Sequence, residues 1–178
     1  MSDYDVALLI EQALTAQDAT QIRSLHDGIE DPVLYHVLIP VEESAARIEA
    51  GIGGLGAGET LVAPPILTDP DVVAELQQDL LDVARDAVRD SVAAIEAAGG
   101  RAVGDIVTTD PIEGLAGKVA AVDAREAIIL TRPHVVSEFF HLDWTSRARR
   151  KLGVPVLHLL EHETFDEQAG EGEGITGL

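Results

Sequence analysis

The residues best placed to do chemistry fall in three short groups, each just after an apolar run: Glu42, Glu43 and Ser44; Thr108, Thr109 and Asp110; and Thr131, Arg132, His134 and Ser137. A guanidinium among hydroxyls suits an anionic ligand, because its planar fork meets carboxylate or phosphate oxygens in pairs. A helix opening near Ser137 would add backbone N–H groups that also favour negative charge. Arg132 could equally bridge to Glu42 or Glu43 across the same cleft, and both readings stand. The two carboxylates with His134 are the ingredients of acid–base chemistry, which defines an alternative reading, a small enzyme anchoring an anionic substrate on Arg132. Pattern alone assigns no catalytic residue, and Asp110 reads first as a helix cap.

Several chemistries are excluded or left without support. The chain has no cysteine, which removes disulfides, thiolate metal sites and a cysteine nucleophile. Its six histidines are scattered without metal-ligand spacing, so no metal is assigned. His158 and His162 would share one face of a strand at period two, which suits a solvated strand end or a dimer seam. The glycines between Gly51 and Gly58 lack the Lys-Ser/Thr ending of a phosphate loop and read as a linker or lid. Arg147, Arg149, Arg150 and Lys151 lie in the last turns of an expected helix, where positive charge complements the dipole.

A formal net charge of −20 argues against nucleic acid and anionic membranes as partners, since the field of the whole molecule repels both. The first residues carry acids where a signal peptide needs positive charge, and no apolar run approaches about 18 residues. The expected location is the cytoplasm.

The elements that must position these residues follow from periodicity and punctuation. Residues 2 to 26 show helix-like spacing with a break near Thr15 to Asp18, and are expected to form an N-terminal helix or helical pair. Leu34 to Val41 is a nearly continuous apolar run, the mark of a strand covered on both faces, and is taken as the first strand. At most a short helix and a Leu61–Val62 strand fit the stretch from Glu42 to Asp69, where Pro64-Pro65 forbids central pairing. Thr68-Asp69-Pro70 opens a long helix carrying Val72, Leu76, Leu80, Val83, Ala87, Ser91 and Ile95, stopped by Gly99-Gly100.

Arg101 to Thr109 reads as a strand, and Asp110-Pro111-Ile112-Glu113 as a capping box opening the next helix. Glu126 to Thr131 is a short apolar strand. A helix from Ser137, with Phe140, Trp144, Ala148 and Leu152 on one face, leads to a last strand over Val154 to His162. Strands alternating with helices predict an α/β fold: a doubly wound, mainly parallel sheet of four or five strands with helices on both faces. The chain divides into a helical extension (1–31), an α/β domain (32–162) and an acidic tail (163–178) too poor in apolar residues to order itself.

Several motifs resemble those of universal stress proteins. Pro40-Val-Glu-Glu-Ser44 is similar to the Pro-Val-Asp-Gly-Ser turn after that family's first strand. Thr109-Asp-Pro111 stands where the family has Gly-Asp-Pro, Ile128 to Arg132 where it has its fourth strand, and Gly153 to Leu159 where it closes on a Pro-Val strand. The resemblance runs from Leu34 to Glu161. It implies a sheet ordered 3-2-1-4-5, a homodimer formed through the C-terminal strand, and in some members ATP held between strands 1 and 4.

Two departures qualify what is implied. The family's nucleotide motif has paired glycines, a nine-residue gap and a further glycine, but from Leu130 this chain reads LTRPHVVSEFFHLDWTS. Those glycines let backbone N–H groups approach phosphates, and Pro133 offers no N–H at all. The first crossover, from Ser44 to Asp69, also looks shortened, as though the second strand were missing. The resemblance therefore implies a binding or regulatory protein without the standard triphosphate cradle, for which ATP, AMP or another small anion remains the candidate ligand and no cofactor is assigned.

Overall fold

The computed structural model describes residues 3–41, 70–131 and 148–160. Five strands form one sheet: β1 (Tyr4–Ile10), β2 (Val33–Pro40), β3 (Arg101–Val107), β4 (Glu126–Thr131) and β5 (Val156–Leu160). Three helices connect them, α1 (Ala16–Ser24), α2 (Pro70–Ala97) and α3 (Pro111–Val122), and a further helical turn covers 148–151. All pairings are parallel, in the spatial order β3-β2-β1-β4-β5.

The largest correction to the sequence reading lies at the start of the chain. Tyr4–Ile10 is not helical; it is the central strand, paired with β2 on one side and β4 on the other. Val6 to Ile10 are all fully buried. A strand covered on both faces loses its polar alternation, and a short apolar run then cannot be told from a buried helix by periodicity. The break near Thr15 is the true start of α1. Thr15 N–H and Oγ1 donate to Asp18 Oδ2 at 2.9 and 2.6 Å, while Asp18 N–H donates to Thr15 Oγ1 at 3.2 Å, a reciprocal cap.

This correction renumbers the rest. Leu34 to Val41 is the second strand, not the first, so the second strand is present and α1 is a complete first crossover. Residues 42–69, read as a truncated first crossover, instead fall between β2 and α2 and lie outside the described residues, as do the expected Leu61–Val62 strand and the tail from 163.

Each face of the sheet has its own core. Val6, Leu8, Ile10, Tyr35, Val37, Ile39, Ile128 and Leu130 pack with Ala19 and Ile22 of α1 and Ala84 and Ile95 of α2. Ala7, Leu9, Leu38, Ala127 and Ile129 pack with Ile112, Leu115 and Val119 of α3 and with Ala148 and Leu152. Successive strand residues thus feed opposite layers, as the pleat requires. The expected buried stripe of α2 holds at Ser91 and Ile95 but not at Val83, which is 61% exposed. Gly104 lets α2 lie close on β3, since a Cβ there would come within 2.3 Å of Val88 Cγ1.

The cap of α3 forms by half. Asp110 accepts from the N–H groups of Ile112 and Glu113 at 3.0 Å each, but Glu113 turns its carboxylate to Lys151 instead of completing the box. Lys151 thereby ties the end of the 148–151 turn to the start of α3. No helix among the described residues is long and apolar enough to cross a membrane.

Candidate functional site

In an open parallel sheet, loops leaving two neighbouring strands in opposite directions open a crevice beyond the carboxyl ends of those strands. The chain enters at β1, steps outward through β2 and β3, then returns to the other side of β1 as β4. The switch therefore lies between β1 and β4, where Ile10 is in register with Leu130. Glu11 and Gln12 leave β1 at this point, and Thr131 ends β4.

Glu11 is buried, 4% exposed, although it carries a carboxylate. Thr131 is also buried, and its Oγ1 lies 2.7 Å from His158 Nε2 on β5. The loop after Glu11 is pinned from the α2 side. Leu14 N–H donates to Ser91 Oγ at 3.0 Å, and Ser91 in turn donates to Ala87 O at 2.7 Å. A serine inside a long helix, whose hydroxyl bonds back to the fourth preceding carbonyl, thus fixes one lip of the crevice. The arrangement gathers a carboxylate, a hydroxyl and an imidazole at the switch, the last two bonded to each other.

Of the residues singled out from sequence, Thr131 is placed at this switch. Thr109 is exposed in the turn after β3, at the far side of β2 from β1, and is not part of the crevice. Glu42, Glu43, Ser44, Arg132, His134 and Ser137 lie outside the described residues. Glu42 follows Val41, whose N–H bonds Val107 O at 2.8 Å, so that group leaves the second strand and not the first. Applying the switch rule to the wrong first strand missed Glu11 and Gln12. The available signal was the reciprocal cap at Thr15 and Asp18, which leaves room for only a strand before it.

Sequence reasoning also missed a second polar centre, at the opposite end of the sheet. Tyr4, Tyr35 and Glu126 stand near the amino ends of β1, β2 and β4, under the end of α1. His26, 6% exposed, reaches into them: its Nε2 lies 2.5 Å from Glu126 Oε1 and its Nδ1 2.8 Å from the Tyr35 hydroxyl. Burial pushes the Tyr35 phenol up to about 12. Burial also raises the Tyr4 phenol, with the Glu126 carboxylate adding to the effect. Beside this group is a cavity of about 220 Å³ lined by Arg23, His26, Asp27, Tyr35, Gly100 and Arg101, among others. The two arginines are already engaged, Arg23 with Asp27 and Arg101 with Asp3 at 2.8 Å. Arg101 holds the Asp3 carboxyl below its ordinary range through that hydrogen bond.

On the other face of the sheet His36 Nε2 lies 2.7 Å from Asp5 Oδ1, a separate half-buried pair. Among the described residues no group of three or more His, Asp or Glu side chains could hold a metal ion.

No family model matches the chain, and no curated protein matches it in sequence. Solved structures do match. The hypothetical protein MJ0577 aligns with a TM-score of 0.62 at 14% identity, over 90% of this chain and 98% of that one. The universal stress protein UspA from Lactobacillus plantarum aligns with a TM-score of 0.56 at 12% identity, over 89% and 99% of the two chains. A universal stress protein in complex with cAMP aligns at 0.50 and 10% identity, over 90% and 99%. Identities this low speak to architecture, and they agree with the strand order β3-β2-β1-β4-β5 found above: the chain has the fold of the universal stress proteins.

Proposed function

We propose that this chain is a universal stress protein-like binding or regulatory protein, a cytoplasmic homodimer that takes a small ligand at the β1–β4 switch without the standard triphosphate cradle. The observation that carries the reading is the switch itself, with Glu11 and Thr131 buried at its two sides. A neighbour of the same fold was solved with cAMP, which makes adenine nucleotides the first ligands to try. The sequence after Thr131, with Pro133 in place of a motif glycine, speaks against a phosphate cradle there. The dimer is assigned to the C-terminal strand, because β5 ends the described sheet and presents Leu157 at 37% exposure.

Equilibrium binding with cAMP, AMP and ATP tests the reading. The expected order is cAMP or AMP above ATP, with binding weakened by Glu11→Gln. Tight ATP binding that survives both Glu11→Gln and Arg132→Ala would overturn it.

A further inference from the structure

We infer that His26, Glu126 and Tyr35 form a proton-linked latch that fastens the turn after α1 to the amino ends of β2 and β4. The geometry supports two complete hydrogen-bond sets on one set of heavy atoms. With a neutral imidazole, Nε2–H donates to Glu126 Oε1 at 2.5 Å and Nδ1 accepts from the Tyr35 hydroxyl at 2.8 Å. With a cationic imidazole, Nδ1 needs an acceptor, and the Ile22 carbonyl already lies 3.2 Å from it. The Tyr35 hydroxyl is itself 3.3 Å from the same carbonyl, so its proton has somewhere to turn. One proton gained at Nδ1 and one hydroxyl rotation convert the first set into the second, with no heavy atom displaced.

The two sets differ in strength. The first joins α1 to β4 through a neutral donor, and the second through an ion pair between His26 and Glu126. A hydrogen bond between two charged groups is the stronger, most of all where water is excluded, and the His26 side chain is only 4% exposed. Imidazole is the side chain that ordinarily changes charge between about pH 5 and 8.

The groups facing His26 are accounted for on every element around it. They are Tyr4 on β1, its ring 6.0 Å away; Tyr35 on β2; Glu126 at the start of β4, with Arg125 just before it; Arg23 on α1, paired with Asp27 in the turn beyond it; and Asp31 and Arg101 around the shared cavity. Both tyrosines keep their protons through neutral pH, since their phenols are raised, so neither phenol loses the proton in this range. The latch is tightest where His26 is charged and Glu126 still ionised, and it slackens as pH rises. His26 and Tyr35 also line the 220 Å³ cavity, so the latch sets how firmly one wall of that cavity is held.

Hydrogen exchange across pH, corrected for intrinsic rates, gives the test. Protection of the amides of His26, Asp27 and Ile29 is expected to rise about tenfold between about pH 8 and about pH 5.5, and the rise is expected to vanish in Glu126→Gln. The readout is confined to the end of α1, away from the separate His36–Asp5 pair. An equal rise in Glu126→Gln would overturn the latch. Should that variant fail to fold, nitrogen shifts of the His26 ring in the wild type decide it. An Nε2–H tautomer at high pH passing to the cation at lower pH is expected; an Nδ1–H tautomer, or one unchanging charge state, would overturn it.

Discussion

The two ends of the sheet carry opposite kinds of polar chemistry. At the carboxyl end, Glu11, Thr131 and His158 surround the β1–β4 switch that the topology creates, and Ser91 reaches from α2 to hold the adjoining loop. At the amino end, Tyr4, His26, Tyr35 and Glu126 satisfy one another beneath α1. The first end is where the fold makes a crevice whatever residues fill it. The second exists only because four particular side chains meet. Likeness of fold therefore informs the carboxyl end, and only this chain's own residues inform the amino end.

The largest expected effect acts on the layer both ends share. Ile128→Ala, at a fully buried position beside β1, should cost about 2–5 kcal/mol in denaturant unfolding by leaving a cavity. Loss of both local signatures together in this variant would confirm that they rest on one cooperative core. Next, Ser91→Ala strands the Leu14 N–H and should cost about 1–3 kcal/mol. It should loosen the switch loop in hydrogen exchange while leaving His26 protection intact. A smaller and complementary effect is expected of Tyr35→Phe, about 1 kcal/mol for one lost hydrogen bond.

Tyr35 also fixes the sign of an alkaline pH dependence. A phenol raised in the fold favours folding while it is neutral, so its contribution is complete below about pH 10, the ordinary phenol value. That contribution is lost as pH climbs through the folded value of about 12. Tyr35→Phe should therefore flatten the fall in stability over this window, to which Tyr4 also contributes. The smallest effect is expected away from both ends. Asp82→Ala breaks the exposed Arg85–Asp82 pair on α2 and should cost about 0–0.5 kcal/mol in the same unfolding experiment.

The sequence made β4 legible to the residue, because Glu126 to Thr131 is bounded by turn signals and is too short for a helix. It also placed α2 and α3, each of which opens on Pro, the second behind the capping Asp110, and the first of which is followed by the left-handed Gly99. It did not place β1. Tyr4–Ile10 is buried on both faces, and that erased the alternation separating strand from helix. This one misreading moved the switch from Glu11 to Glu42 in the sequence reading. The His26 centre was hidden for a different reason: its members, at positions 4, 26, 35 and 126, are brought together only by strand order, which no local pattern contains.

Ligand binding is assigned to the carboxyl end of the sheet. Titrating the isotopically labelled protein with cAMP while following backbone amide shifts tests it most directly. The expected result is a saturable set of shifts at Glu11, Gln12 and Thr131, with His26, Tyr35 and Gly100 unmoved. Shifts centred on the amino-end residues, or none at the switch with any of cAMP, AMP and ATP, would contradict it.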